Sequence, residues 1–435
     1  MRRFLLTIIF TCLIFQFFGK IENTVFRERV YVQTDKQVYL AGEKIQMKLM
    51  TLDTERVPLV FSKVAYVELV RDSIARVQIK VALENGVGEG RMSLPVNLPS
   101  GYYRLIAYTR YMRNEGTEVF FEKNIGIINT FQSDYYPETA ETAVENISSS
   151  LSRRDNLAGA VSVQPDKAVY STRERGELLI TGLPENIHTL SVCIAGKEII
   201  ETDVSAHFQN IRPADPASFT GEFLPEYEGH IVTGTMINNQ TGETVTDNAL
   251  LIPALSFPGE GIRFYTGEKN EKDEILFFTS GNYGTGQIAT VVYDPEENWR
   301  IDIQSPFISK FAPKPMPALH IDSVCYGQLL ERSVALQASH YFYNDSLENR
   351  RISPSAFKLK PTYVYPLDDY TRFTTMREIF IEFILTARFR RNDGVRELQV
   401  FLKNGNESYY GTNPLILLDG APIANHELVY NYDPL

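Results

Sequence analysis

The residues that could do chemistry are scattered along the chain. Six histidines stand at His188, His207, His230, His320, His340 and His426. No pair sits at i, i+4 with a glutamate, the spacing that puts two imidazoles on one helix face for zinc. None lies near Cys193 or Cys325 in sequence. The acidic run Glu268-Lys269-Asn270-Glu271-Lys272-Asp273-Glu274 carries the oxygen ligands that calcium takes, but its two interleaved lysines describe a solvated hairpin loop. Asp35 and Asp166 recur at equivalent positions of a repeat. That recurrence invites a catalytic reading, yet turn chemistry accounts for it more simply, because aspartate bonds its own backbone two residues on. Gly-x-Ser-x-Gly, phosphate-loop and dinucleotide patterns are absent from the sequence. No nucleophile stands at a spacing that pairs it with a base. We therefore assign no catalytic, cofactor-binding or metal residue, and the chain reads as non-enzymatic.

The elements around these residues are strands. Residues 30–43 read VYVQTDKQVYLAGE and residues 161–174 read VSVQPDKAVYSTRE. Val30, Val32, Gln33, Asp35, Lys36, Val38, Tyr39 and Glu43 align without a gap on Val161, Val163, Gln164, Asp166, Lys167, Val169, Tyr170 and Glu174. Each copy reads as an alternating strand, a polar turn at Asp-Lys and the start of a second strand at Val-Tyr. Repetition of this kind marks a duplicated β module.

At 435 residues the chain has room for about three domains of roughly 100–200 residues. A net charge of −11 argues against a nucleic-acid partner, whose footprint is a basic face. Arg2 and Arg3 precede an apolar run from Phe4 to Phe18, closed by Gly19. This is the pattern of a secretory signal peptide over residues 1–19, in preference to a retained anchor. Cys12 lies inside the run after Thr11, where a lipid-attachment signal would want a small residue and a longer apolar lead. Cys193 and Cys325 are too few for a disulfide framework and read as buried small hydrophobes in different domains.

The first module, residues 25–130, predicts strands at Val30–Thr34, Lys44–Met50, Ala65–Val70, Val77–Leu83, Gly90–Pro95, Tyr102–Thr109 and Glu118–Ile128. Ala41-Gly42, Asn85-Gly86 and Ser100-Gly101 separate several of them, the plan of a β-sandwich. Both faces of Tyr102–Thr109 are apolar, so one should pack on the opposite sheet and the other be partly covered. Residues 131–158 have no apolar period and read as a linker. The second module, 159–228, predicts strands at Glu177–Thr181 and Thr189–Ala195 and a reduced sandwich. A third β region, 229–310, predicts strands at Gly229–Gly234, Asp273–Phe278 and Gln287–Tyr293, with turns at Thr241-Gly242-Glu243 and Asn282-Tyr283-Gly284. Asp322–Tyr343 looks helical within a linker over 320–360. Asp368–Ala387 looks like a second helix ended by Arg388, Arg390 and Arg391, which suit a helix C-terminus electrostatically. Strands at Glu397–Leu402 and Pro414–Leu418 follow. The fold class is mainly β: serial β-sandwich domains of macroglobulin or immunoglobulin type, a short helical segment and an incomplete α+β end.

VYVQTDKQVYLAGE followed by LPSGYYRLIAYT resembles the second domain of α2-macroglobulin-type proteins, a seven-stranded sandwich, over about Arg27 to Ile128. Residues 229–255 resemble a carboxypeptidase regulatory-like sandwich. Phe373-Thr374-Thr375-Met376-Arg377-Glu378-Ile379, with Pro414-Leu415-Ile416-Leu417-Leu418-Asp419-Gly420-Ala421-Pro422-Ile423, resembles the plug domain of TonB-dependent outer-membrane receptors over residues 361–435. The chain stops at Asp433-Pro434-Leu435, where a plug would continue for further strands, so the expectation is a partial plug-like domain.

The resemblance also brings a chemistry. Macroglobulin inhibitors form an internal thioester from a Cys and a Gln three residues on, and Cys325-Tyr326-Gly327-Gln328 has that spacing. The family places Gly and Glu between the two, and this chain has Tyr and Gly, so a buried cysteine is the better reading. Asn146-Ile147-Ser148 and Asn239-Gln240-Thr241 are formal glycosylation acceptors, without meaning in a bacterial envelope. The resemblances imply an exported protein of the periplasm or outer membrane of a Gram-negative-type bacterium. Its sandwiches would bind or scaffold a protein partner of outer-membrane transport or secretion, with no cofactor. The alternatives are a macroglobulin-type protease-binding or inhibitor protein lacking a thioester, and an enzyme whose site assembles only in three dimensions.

Overall fold

The computed structural model describes residues 26–132, 161–194, 219–244, 251–342, 361–402, 408–409 and 414–434, with short gaps inside several of these spans. The signal-peptide reading, and the linker read over 131–158 apart from Phe131 and Gln132, fall outside the described residues. The described residues form two compact units. One precedes Glu226 and also holds Ser309–Tyr341; the other combines Glu226–Ile308 with residues from 361 onward. The chain is mainly β.

In the first unit the strands are β1 (Arg29–Thr34), β2 (Val38–Leu40), β3 (Lys44–Leu52), β4 (Val64–Arg71), β5 (Ile74–Ala82), β6 (Val87–Ser93), β7 (Gly101–Tyr108), β8 (Phe121–Ile128), β9 (Ser162–Pro165) and β10 (Leu178–Thr181), followed by helix α1 (Tyr326–Phe342). A five-stranded sheet in the order β2-β8-β7-β4-β5 faces a three-stranded sheet β1-β3-β6. All neighbours are antiparallel except β2 and β8. The turns explain the register. Asp72-Ser73 between β4 and β5, and Asn85-Gly86 before β6, hold positive φ at both central positions, as tight twisted hairpins require. Alternation puts Tyr103, Leu105 and Ala107 of β7 on one face, and Arg104, Ile106 and Tyr108 on the other; all six are buried. The second face is covered by Phe120, stacked on Tyr108 at 4.4 Å, and by a returning segment whose Ala312 carbonyl accepts from Arg104 at 2.9 Å. The strand expected from Glu118 begins only at Phe121, because Thr117–Val119 closes a 3-10 turn.

The helix read as part of a linker packs on this sandwich. Cys325 and Leu329 join Val38, Leu40, Ile128 and Leu319 in one buried cluster, with Leu336 against it. In the second module β9 and β10 form a two-stranded antiparallel sheet. Residues 190–194, expected as a strand, are not strand in the structure.

The second unit holds β11 (Ile231–Asn238), β12 (Ile252–Phe257), β13 (Arg263–Thr266), β14 (Glu268–Lys269), β15 (Glu274–Phe278), β16 (Ala289–Tyr293) and β17 (Trp299–Ile303). The sheets β14-β15-β11-β17 and β13-β12-β16 enclose a core of Val232, Met236, Leu255, Ile275, Phe277 and Ile301. The alternating Trp299, Ile301 and Ile303 add β17, and Arg263–Thr266 adds β13.

After Pro361 come α2 (Met376–Glu382), β18 (Ala387–Asn392), β19 (Val395–Leu402), β20 (Ser408–Tyr409), β21 (Ile416–Leu418), β22 (Ala421–Ile423) and α3 (His426–Tyr430). The helix expected over Asp368–Ala387 shrinks to α2. Thr375 caps it: its Oγ1 accepts the Glu378 amide at 3.4 Å, and its hydroxyl donates to the Glu378 carboxylate at 3.2 Å. The upstream rings of Tyr365, Tyr370 and Phe373 gather on Phe383, where Tyr370 stacks at 4.1 Å. Arg388, Arg390 and Arg391 therefore lie on β18, opposite Gln399, Glu397 and Arg396 of β19, and not at a helix end. The Leu418-Asp419-Gly420-Ala421 stretch is a hairpin turn with Asp419 and Gly420 at positive φ. It seats on β12, where Ser256 donates to the Gly420 carbonyl at 2.7 Å.

Candidate functional site

The repeat folds the same way twice. In the first copy Asp35 Oδ1 accepts from the Tyr39 hydroxyl at 2.6 Å and from the Gln46 amide at 2.9 Å. The Lys36 amide donates to Tyr39 Oη at 2.9 Å, Lys36 Nζ pairs with Glu43 at 2.8 Å, and the Leu40 amide donates to the same carboxylate at 3.1 Å. In the second copy Asp166 Oδ1 accepts from the Tyr170 hydroxyl at 2.5 Å and the Glu177 amide at 2.8 Å. The Lys167 amide donates to Tyr170 Oη at 3.3 Å, the Ser171 amide to Glu174 at 2.7 Å, and Lys167 pairs with Glu174. The aspartates thus reach further than a two-residue turn bond: their partners lie four and eleven residues on, and each carboxylate staples its turn to the next strand. Carboxylates engaged in this way hold structure and do not serve as free bases.

Burial separates the copies. Burial, then the adjoining Asp35 carboxylate, pushes the Tyr39 hydroxyl far up. In the exposed second copy the hydrogen bond to Asp166 raises Tyr170, and the Tyr170 hydroxyl holds Asp166 low. The first copy is covered by α1. Arg332 donates to the Val38 carbonyl at 3.1 Å and pairs with Glu43 at 3.0 Å, and His340 Nε2 lies 3.1 Å from the Gly42 carbonyl. Gly42, at φ +92°, permits this approach; a Cβ there would stand 3.2 Å from Val96 and 3.4 Å from Leu336. The second copy has Ser171 and Arg173 where the first has Leu40 and Gly42. Ser171 lacks the apolar side chain that Leu40 buries beside α1, and Val169 is 81% exposed. Because β2 is an edge strand, α1 also covers an edge that would otherwise accept a foreign strand. The opposite edge, β5, alternates exposed Arg76, Gln78 and Lys80 with half-buried Val77 and Ile79.

The same α1 decides the cysteine question. Cys325 is buried as a small hydrophobe of the β2 cluster, and Gln328 is exposed. Cys193, expected to be buried, is exposed, with its thiol 3.3 Å from the Asp35 carbonyl. His230 is 2.9 Å from Glu226, and buried His426 accepts the Leu398 amide at 3.0 Å. His188, His207 and His320 lie outside the described residues. The acidic run makes the β14–β15 hairpin, with Asn270 accepting the Lys272 and Glu274 amides and Lys269 pairing with Asp273 at 2.6 Å.

A buried polar network in the first sandwich gave no signal in the sequence. The Glu28 carboxylate accepts from the Ser62 amide at 3.1 Å, the Ser62 hydroxyl at 2.7 Å and the Thr109 hydroxyl at 2.5 Å. Glu115 pairs with Arg29 at 2.8 Å and Arg27 at 2.6 Å. Its partners lie more than eighty residues away in sequence, so no local pattern announces them.

Five strands against three, with the duplicated turn at their edge, characterise the first sandwich. Residues 29–122 match the MG2 domain. This is an MG2-type β-sandwich. Two crystal structures of Salmonella alpha-2-macroglobulin are similar to the chain, one of a mutant and one reacted with methylamine, at 10% and 12% identity. Each alignment covers 63% of this chain and has a TM-score of 0.20. This chain spans 23% of those chains. No curated protein matches it. Among the described residues no helix is long and apolar enough to cross a membrane.

Proposed function

We propose that the chain is an exported, non-enzymatic envelope protein whose sandwiches hold a protein partner. The observation that carries this is the unequal treatment of the edges of the MG2-type sandwich. One edge, β2, is sealed by the chain's own helix, and β5 presents alternating polar and apolar side chains at the opposite edge. An added strand would gain main-chain hydrogen bonds along β5 and take specificity from its side chains. The partner belongs to the outer membrane or periplasm and to TonB-dependent transport or secretion; the plug-like stretch that docks on the second sandwich supports this reading.

Site-specific photo-crosslinking tests it. A photoreactive residue replacing Ile74 on β5, which is 53% exposed, should capture an envelope protein, and one replacing Val38 on the sealed β2 should not. Equal capture from both positions, or none from either, refutes the proposal. Methylamine treatment followed by mass spectrometry tests the protease-trap alternative in its thioester form, which predicts a modified Gln328.

A further inference from the structure

Residues 219–223 read Phe-Thr-Gly-Glu-Phe and lie on the MG2-type sandwich as a bound peptide would. The receptor is Asn114, fully buried, in the 3-10 turn Tyr111–Glu115. Its side-chain amide meets Phe223 at two points, donating from Nδ2 to the Phe223 carbonyl at 2.8 Å and accepting the Phe223 amide on Oδ1 at 2.8 Å. A side-chain amide used in this way reads an extended backbone as a neighbouring strand would. Asn114 Oδ1 also accepts the Thr220 hydroxyl at 3.1 Å, and its backbone carbonyl accepts the Thr220 amide at 3.0 Å. Nδ2 is held in place by the Tyr111 carbonyl at 2.9 Å.

The two rings are clamped by cations. Arg113 sits over Phe223 at 4.1 Å and Arg110 over the same ring at 5.8 Å. Arg27 lies over Phe219 at 5.8 Å, with the Tyr111 ring 5.5 Å away. Such pairs favour aromatic over aliphatic side chains. Gly221, at φ +71°, makes the bend that brings both rings to the surface. The required chemistry is therefore a short turn-forming segment, Phe-Thr-Gly-x-Phe, with a hydroxyl after the first ring and a residue tolerant of positive φ in the middle.

We infer that the surface formed by Asn114, Arg27, Arg110, Arg113 and Tyr111 is a peptide-recognition site, occupied in cis by residues 219–223, that takes a Phe-Thr-Gly-x-Phe segment of a partner protein in trans. It rests on the reading of the chain as a partner-binding protein, but occupies a surface other than the β5 edge. The tethered segment competes at the effective concentration of an intramolecular ligand, on the order of millimolar. The free site is thus masked until that segment leaves.

The test is fluorescence anisotropy of a labelled peptide, Phe-Thr-Gly-Glu-Phe-Leu-Pro, against the full chain. The double variant Phe219→Ala, Phe223→Ala should bind it at least about ten-fold more tightly than the unaltered chain. Adding Asn114→Ala should abolish binding. A peptide with both phenylalanines replaced by alanine should not bind the double variant, a readout that stands even where Asn114→Ala misfolds. No binding to the double variant, equal binding to the unaltered chain, or binding indifferent to the peptide's rings would reduce the contact to a structural tether and overturn the inference. Because this readout needs no envelope, it can fail while the β5 crosslink succeeds, and the reverse.

Discussion

The duplicated turn provides an internal control for one substitution. Tyr39→Phe removes a single oxygen and leaves the ring, so no cavity opens. It deletes the 2.6 Å bond to the Asp35 carboxylate and the acceptor of the Lys36 amide. A hydrogen bond to a charged group contributes about 1.5–3 kcal/mol net. Since Tyr39 is fully buried and Asp35 keeps the Gln46 amide, we expect a loss of about 2 kcal/mol. For a folding unit of this size that lowers the melting temperature by roughly 4–8 °C. Tyr170→Phe deletes the same bond in the exposed copy, where water replaces it, and should leave the transition unmoved. Urea and thermal unfolding of the two full-length variants, followed by near-ultraviolet circular dichroism, measure both. Equal shifts for the two variants, or a Tyr39→Phe change below about 0.5 kcal/mol, would refute the argument that burial decides what this motif is worth.

Three further outcomes follow from the buried pairs and the helix contact. Glu115→Gln leaves Arg29, only 1% exposed at its side chain, with a neutral neighbour, and should cost about 3–5 kcal/mol in urea unfolding. Burial pushes the Glu115 carboxyl up, but its bonds and charge pairing with Arg29 and then Arg27 outweigh this and hold it below its ordinary 4.5. Its contribution is therefore present above that value and lost as pH falls through the depressed one, so the variant should show a flatter acid limb. Arg332→Ala removes the donor to Val38 and the partner of Glu43. It should cost about 1–2 kcal/mol and speed amide exchange across Val38–Glu43 while leaving β9–β10 unchanged. His426 must be unprotonated to accept the Leu398 amide, and burial lowers its pKa against the opposing charge of Glu397. The unfolded chain takes up the proton below about 6.5 and the folded chain later. Stability of this end should fall as pH drops through that window, read as faster Leu398 exchange after correction for intrinsic rates, and His426→Gln should remove the dependence.

The sandwich strands were legible because their signal is local. Lys44–Met50, Ala65–Val70 and Tyr102–Thr109 alternate in type, glycine or asparagine marks their turns, and each lies within a residue or two of its observed bounds. The repeat was legible as a repeat, down to the residues that bond. Helix and strand were confused where two periods overlap. The apolar residues Phe373, Met376, Ile379, Phe380 and Phe383, at three- and four-residue spacing, suggest a helical stripe, yet the Thr375 cap starts the helix late and the arginines beyond it fall on β18. The candidate binding surfaces were not legible at all, since Asn114 meets its peptide 109 residues away and Arg332 meets Glu43 at a separation of 289.

By itself the amino-acid order determined a duplicated acidic turn, its hydrogen-bonding residues and the alternating strands on either side, because each of these is completed within a dozen neighbours. Only the tertiary structure decided that one copy is sealed and the other open, that Cys325 is buried and Cys193 exposed, and that an aromatic segment occupies the Asn114 surface. Those outcomes depend on which distant segment returns to cover a surface, and on whether the turn offers it an apolar Leu40 or a polar Ser171.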